Sequence, residues 1–297
     1  MVKIYEAAFG GWQKCLFLEN DVALLVITLE VGPRIISYRL KDGKNVFYQF
    51  PDHAGRKGDS EWVNYGGHRL WHAPEIRPRT YEADNFPVKY TVEGSSVTVT
   101  PPEDQYSRTQ KEMVITLAEN SSRVTVEHRI TNTGAWDTEL ALWAITVCEK
   151  GGLEVISEPT EYSALLPNRK LVLWPYSRLN DKRAYWGDKF ITLEQRENSV
   201  PFKFGVDNFA GWAAMFVNDC LFIKRYPVEP EVEYADMGVS YETYTCDCMT
   251  ECESLSPLMR LAPGSTGVHV EEWELYFEEK PERNDEKQIA EILEKYI

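Results

Sequence analysis

Residues 124–134 read VTVEHRITNTG, and this stretch decides the fold class. Its valines and isoleucine alternate with threonine, glutamate and arginine, which is the two-residue period of a half-buried β-strand. The Asn-Thr-Gly at its end is typical of a turn. Residues 140–147, LALWAITV, are then apolar throughout, as expected of a strand that is buried on both faces. The stretch therefore predicts two consecutive strands of a buried sheet.

The same period recurs in short runs along most of the chain, with turn signals between them. A helical period appears only near the end, where Ile289 and Leu293 share one stripe and Asn284 is a candidate N-cap. We therefore predict an all-β fold, a large antiparallel β-sandwich in one domain spanning residues 1–297, with a short C-terminal helix over about 284–297. Residues 51–87 and 228–238 are predicted to be long functional loops.

The charge of the chain limits its partners. It has 47 acidic and 32 basic residues, which gives a net charge of −15. A surface of this sign repels nucleic acid, and it also disfavours anionic membranes. No run approaches the ~18 apolar residues of a membrane span, and the N-terminus lacks the pattern of a secretory signal. We predict a cytoplasmic protein with no nucleic-acid or membrane partner, and the oligomeric state stays open.

Six cysteines are present, and three of them follow a Cys-x-Cys-x-x-x-Cys pattern at Cys246, Cys248 and Cys252. Structural zinc sites usually combine two Cys-x-x-Cys pairs, or one pair with two histidines, and neither arrangement is found here. We expect reduced thiols with no metal and no cofactor. A metal site at these three cysteines is the alternative.

Several stretches resemble the galactose mutarotase-like superfamily. VTVEHRITNTG with ELALWA (139–144) resembles its central hairpin, and ECESLSP (251–257) with LAPG (261–264) resembles its late strand with a catalytic glutamate. GGHRLWHAPE (66–75), LWPY (173–176), residues 205–212 and YETY (241–244) resemble a bacterial domain family within that superfamily. The resemblance implies a supersandwich fold and a carbohydrate-active protein related to aldose 1-epimerases.

His68 and Glu253 are the predicted catalytic pair. Histidine titrates near neutrality and can donate a proton to a sugar oxygen, while a carboxylate can accept one from a hydroxyl. Glu253 lies where the superfamily has its catalytic glutamate. Glu251 would point to the same side of that strand, and like charges raise the pKa of a carboxyl group.

The predicted substrate-binding residues combine stacking rings with polar groups. Sugars present apolar C–H faces on which tryptophan stacks, and arginine forks bind carboxylates or phosphates, so acidic and phosphorylated sugars stay open. The candidates are His72, Glu75, Arg77, Trp71, Trp143, Lys224 and Glu251.

Three functions are compatible with these residues. An epimerase or mutarotase-type isomerase acting on a small sugar is favoured by the resemblance. A non-catalytic carbohydrate-binding or sensing module is the alternative, because aldose 1-epimerases carry a histidine where this chain has LWAI (142–145). A lyase or glycosidase could use the same fold. The separation of His68 from Glu253 distinguishes the first two.

Overall fold

A computed structural model describes residues 1–161 and 163–297, and it consists mainly of two antiparallel sheets. The first sheet carries the candidate site described below. Its strands, in spatial order, are β1 (Lys3–Phe9), β2 (Trp12–Glu19), β3 (Ala23–Thr28), β4 (Arg34–Leu40), β5 (Gly67–Ala73), β10 (Thr138–Cys148), β19 (Thr250–Leu255), β18 (Tyr241–Thr245), β15 (Phe202–Val206) and β12 (Leu171–Leu173). The short strand β20 (Met259–Leu261) also pairs with β10.

The second sheet covers one face of the first. Its strands, in spatial order, are β13 (Ala184–Trp186), β14 (Phe190–Glu194), β11 (Leu153–Ser157), β16 (Trp212–Val217), β17 (Cys220–Arg225), β21 (Thr266–Phe277), β9 (Val124–Asn132), β8 (Thr109–Leu117), β7 (Ser96–Thr100) and β6 (Lys89–Glu93). Strand β9 alternates between buried and half-buried residues, and β10 is buried from Leu140 to its end. The predicted all-β antiparallel sandwich is confirmed.

The main core lies between the two sheets. Strands of both contribute aliphatic side chains, such as Leu25 and Leu142 from the first and Val126 from the second. Aromatic rings pack at its centre, where Phe222 and Trp273 have ring centroids 5.9 Å apart. Because the second sheet covers this face of the first sheet, a site open to solvent forms on the opposite face, which is called the outer face below.

The part of the chain that the structure describes also contains three helical elements: a 3₁₀ turn at Pro51–His53, the one-turn element α1 (Ala235–Gly238) and the C-terminal helix α2 (Glu286–Leu293). Asp285 caps α2, and its carboxylate accepts a hydrogen bond from the backbone N–H of Gln288 at 3.0 Å. The predicted cap at Asn284 is therefore wrong by one residue, and the helix is shorter than 284–297. No helix in the described residues has the length and apolar character needed to cross a membrane.

Strand β5 corrects the prediction of a loop over residues 51–87. It pairs with β10 along its whole length, and every one of its residues is buried. Gly66 and Gly67 lead into it with φ of +86° and +66°, and a Cβ atom on either would lie 2.1 or 2.4 Å from a carbonyl oxygen of the neighbouring backbone. Since β5 is a strand, its successive side chains point to opposite faces of the sheet.

Candidate functional site

An open cleft of about 720 Å³ lies on the outer face of the first sheet. Strands β5, β10, β19, β18 and β15 form its floor, and the loops around residues 62–64, 75–81, 176 and 199–201 form its sides. Aromatic side chains make up much of its lining: Phe50, Trp62, Trp71, Tyr81, Trp143, Tyr176 and Tyr244.

Strand register explains which side chains meet on the floor. Arg69 of β5 and Glu253 of β19 are both paired with Ile145 of β10, so the three share one face. Trp71 of β5 and Trp143 of β10 form the next pair on the same face of these two strands. The alternation of each strand thus gathers polar and aromatic residues from distant parts of the chain on one surface.

An aromatic wall forms around Trp71. Its ring centroid lies 4.9 Å from that of Trp62, 5.0 Å from Tyr81 and 5.5 Å from Trp143. The Arg69 guanidinium lies 4.6 Å from the Trp71 centroid, which is within the range of a cation–π contact. The rings of the wall therefore pack against one another and present ring surface to the cleft.

An ion pair fixes a carboxylate beside this wall. Arg69 Nη2 lies 3.0 Å from Glu251 Oε1, and the two side chains are 4% and 10% exposed. Glu251 lines the cleft, and so does Tyr244, which is opposite it in the register with β18. The site thus offers a positioned hydrogen-bond acceptor next to an apolar surface.

A second charged group lies at the floor, around Lys203. Its Nζ is 2.7 Å from Glu242 Oε2 and 2.8 Å from Glu253 Oε2, and the Trp143 indole N–H donates to Glu253 at 2.9 Å. Burial raises the pKa of both glutamates. Burial acts to lower the pKa of Lys203, but the two carboxylates outweigh it and raise that pKa. The ammonium is therefore held by these carboxylates.

His68 is not brought together with Glu253. It lies on the inner face of β5 with no exposed surface, its Nε2 is 2.7 Å from His128 Nε2, and its Nδ1 is 2.9 Å from Thr146 Oγ1. Burial lowers its pKa well below 6.5, so its imidazole is neutral. The prediction that His68 and Glu253 flank one sugar ring is wrong in its geometry, because β5 is a strand with two faces.

Two further predicted residues also lie away from the cleft. His72 is buried on the same inner face of β5, where burial lowers its pKa to about 3. Lys224 of β17 lies in the core, with its Nζ 2.8 Å from Glu271 Oε1. Neither can contact a ligand in the cleft, so their placement as substrate-binding residues is corrected.

The remaining predicted residues lie at or near the cleft. Trp71, Trp143, Glu75 and Glu251 line it, and their role in binding stays a prediction. Arg77 is outside the lining and lies over the Tyr81 ring at 3.8 Å, and Glu253 is fully buried beneath the floor.

Arg69, Lys203 and Tyr244 are among the lining residues that the sequence prediction missed, as are Tyr81 and Tyr176. Arg69 stands within the GGHRLWHAPE motif, and a strand assignment there would have placed it beside Trp71. Tyr244 alternates with the inward residues of YETY. Lys203 stands between two phenylalanines in a short buried strand. A lysine at such a position is the one sequence feature that could have indicated a functional role for it.

The tyrosine hydroxyls of the lining are hydrogen-bond donors at neutral pH. None of the described lining residues is a histidine. Burial raises the pKa of Tyr176 to about 12, and burial together with the Glu75 carboxylate raises that of Tyr81 to about 12. These hydroxyls stay protonated at neutral pH and act as hydrogen-bond donors.

Comparisons with known proteins show the fold. No protein-family model and no curated protein sequence matches the chain. A galactose mutarotase-like protein from Lactobacillus casei aligns with a TM-score of 0.59 and 12% identity, over 88% of this chain and 100% of that one. A proposed aldose 1-epimerase from Klebsiella pneumoniae aligns with a TM-score of 0.61 and 10% identity, over 98% and 86%.

A third solved structure is longer than this chain. It is a TPR-domain containing protein from Parabacteroides distasonis, with a TM-score of 0.60 and 14% identity. The alignment covers 94% of this chain but 54% of that one, so this chain spans about half of its length. The likeness in all three cases is one of fold, and the Lactobacillus casei protein identifies the fold of this chain as galactose mutarotase-like.

Proposed function

We propose that this chain, which has the galactose mutarotase-like fold, binds a small neutral sugar in the cleft between Trp71 and Glu251. The observation that carries the proposal is the aromatic wall beside a fixed carboxylate. A pyranose stacks one C–H face on an aromatic ring and directs its hydroxyls to polar groups at the edge. The cleft volume of about 720 Å³ lies within the range of small-molecule sites.

The charges around the cleft favour a neutral sugar. Arg69 is paired with Glu251, and Lys203 is held by two buried carboxylates. The rim adds Glu75 and Asp247, which are both exposed. A sugar carboxylate or phosphate would have to displace one of these ion pairs and would face an excess of negative charge. Acidic and phosphorylated sugars are therefore disfavoured.

The polar lining supplies both kinds of hydrogen bond that sugar hydroxyls need. Glu251 is an acceptor whose position is fixed by Arg69. Tyr176 and Tyr244 are donors, since burial raises the pKa of each hydroxyl. A sugar hydroxyl can donate and accept at once, so it can bridge these groups.

An epimerase or mutarotase-type isomerase is the second candidate. Glu251 favours it, because a carboxylate at the edge of a stacking wall can act as the base on an anomeric hydroxyl. The matching acid would be a tyrosine, and the raised pKa of Tyr244 makes its hydroxyl a poor acid at neutral pH. Binding without turnover is therefore placed first.

A thermal-shift screen tests the proposal with neutral, amino, uronic and phosphorylated monosaccharides. A neutral sugar at ~100 times its Kd should stabilise the fold by about 2.7 kcal/mol. The variants Glu251→Gln and Trp71→Leu should lose the shift while circular dichroism stays unchanged. The matched control Trp136→Leu changes a tryptophan that is 84% exposed between β9 and β10, and it should keep the shift.

Larger shifts with uronic or phosphorylated sugars would contradict the neutral-sugar proposal. The bound sugar is then followed by NMR for exchange between its anomers. Exchange that the wild type accelerates and Glu251→Gln does not would establish the isomerase instead of the binding protein.

A further inference from the structure

The connection between β18 and β19 places three metal-ligating side chains in succession. Cys246, Asp247 and Cys248 each offer one ligand atom, and these atoms lie within 4.8 Å of one another. The two sulfur atoms are 3.5 Å apart. All three residues line the mouth of the cleft.

The sulfur separation suits a shared metal ion. Two thiolates bound to a tetrahedral Zn²⁺ at about 2.3 Å would have their sulfurs about 3.8 Å apart. The observed 3.5 Å is close to this value and well above the ~2.0 Å of a disulfide. A metal ion could therefore bridge the pair with small side-chain adjustments.

Contacts that do not involve the thiols hold this connection in place. The backbone N–H of Cys246 donates to the Met249 carbonyl at 3.2 Å, and the Thr245 hydroxyl donates to the same carbonyl at 2.9 Å. Gln195 Nε2 donates to the Cys246 carbonyl at 3.1 Å. Because the backbone is fixed before any ion binds, the ligands are preorganised.

Cys252 does not belong to this cluster. It lies on the inner face of β19, where its sulfur is 3.9 Å from that of Cys148. The alternative of a single metal site at Cys246, Cys248 and Cys252 is therefore corrected, and Asp247 takes the place of the third cysteine.

We propose that Cys246, Asp247 and Cys248 bind Zn²⁺ at the mouth of the cleft. Two soft thiolates select Zn²⁺ over Mg²⁺ or Ca²⁺, and the carboxylate completes a three-ligand set. Three protein ligands leave a fourth position for water or a ligand hydroxyl, as in catalytic zinc sites. On binding, each thiol loses its proton to solvent and no oxidation takes place.

Titration of the reduced protein with Co²⁺ tests the site without any sugar. Wild type should bind one Co²⁺ per chain, show thiolate-to-cobalt charge-transfer absorption, and lose that absorption when Zn²⁺ is added. Cys246→Ser and Cys248→Ser should each abolish the charge-transfer band, and Asp247→Asn should weaken Co²⁺ binding. Cys252→Ala is the matched control, and it should bind Co²⁺ as the wild type does.

Three results would overturn the proposal: a wild type that binds no Co²⁺, a Cys252→Ala variant that loses the band, or a Cys246→Ser/Cys248→Ser double variant that still binds Zn²⁺. Thermal melts of each variant show whether it is folded. Because no sugar is present in the titration, a protein that fails to bind Co²⁺ would not contradict the proposed sugar binding. A protein that binds no sugar in the thermal-shift screen would likewise not contradict the metal site.

Discussion

Glu154 shows how burial sets the charge of a single residue. It is fully buried on β11, and the hydroxyls of Tyr241 and Thr243 donate to its carboxylate. These hydrogen bonds lower its pKa, but burial is the larger effect and raises that pKa to about 7. The group is therefore about half ionised near neutral pH.

This pKa predicts a loss of stability as the pH rises. Between pH 4.5 and 7 the unfolded chain has lost the Glu154 proton while the folded protein keeps it, so the free energy of unfolding falls across this window. The loss amounts to about 3 kcal/mol. The glutamine side chain of the variant Glu154→Gln cannot ionise, so the free energy of unfolding of this variant should not show this loss.

Urea unfolding of the wild type and of Glu154→Gln at pH 5 and pH 8 measures this effect. The stability of the variant relative to the wild type should improve by about 2.5 kcal/mol from pH 5 to pH 8, because part of the loss has already occurred at pH 5. An unchanged difference between the two proteins would mean that Glu154 titrates normally in the folded state.

His68 and Arg69 show what the sequence alone could not decide at this scale. Both stand in one polar motif, and both are chemically suited to a sugar site. Their roles diverge because one side chain points into the core and the other to the cleft. Residue type predicts chemistry, but only the strand assignment predicts which face a side chain occupies.

At the scale of elements, alternation determines which strands could be predicted. Strand β9 has one face in the core, so its residues alternate and its pattern is clear. Strand β5 is buried on both faces and carries histidine and arginine among apolar residues, so it resembles a polar loop. Its His68 and Arg69 are tolerated because their partners His128 and Glu251 lie in other strands, which no local pattern reveals.

Helix α2 provides a prediction about an element remote from the cleft. Its Ile289 and Leu293 pack on the outer side of the second sheet, next to Trp212. Ile289→Ala should lower the free energy of unfolding by about 2–5 kcal/mol, since it leaves a cavity. The sugar-induced thermal shift should persist, because the cleft lies on the first sheet.

Chemical denaturation of Ile289→Ala measures the loss, and Lys287→Ala is the control on the same helix. The Lys287 side chain is 87% exposed, so its removal should change stability by less than about 0.5 kcal/mol. A loss in Ile289→Ala no larger than that in Lys287→Ala would show that the packing of Ile289 does not set the contribution of α2.

At the scale of the whole molecule, a buried polar network joins the two sheets. Lys224 of the second sheet reaches the first, where its Nζ donates to the carbonyls of Ala144 and Cys252, each at 2.9 Å. On its own sheet it lies 2.8 Å from Glu271 Oε1. Although burial acts to raise the pKa of Glu271, Lys224 together with His128 and His269 outweighs it and keeps that pKa below its usual value.

This network holds three of the five histidines, and none of the three lines the cleft. His68 is hydrogen-bonded to His128, and His269 Nε2 is hydrogen-bonded to the Ser254 hydroxyl at 2.7 Å. All three histidines are buried. The sequence predicted the two layers from their alternation. It could not predict that His68, His128, His269, Lys224 and Glu271 find polar partners between the layers, because these contacts join β5, β9, β17, β19 and β21.

The last prediction is that Lys224 and Glu271 stabilise the sandwich as a pair. Lys224→Met leaves the Glu271 carboxylate buried without its cation, and it should cost about 3–5 kcal/mol. Glu271→Gln strands the ammonium in the same way, although Gln can still accept from the Trp273 indole N–H. The double variant removes both charges, so it should be more stable than the sum of the two single effects by about 0.5–3 kcal/mol. Urea unfolding of the four proteins measures this coupling, with Lys182→Met as an exposed-lysine control. Additive losses would mean that Lys224 acts through the carbonyls of the first sheet, and that the link between the sheets does not depend on the ion pair.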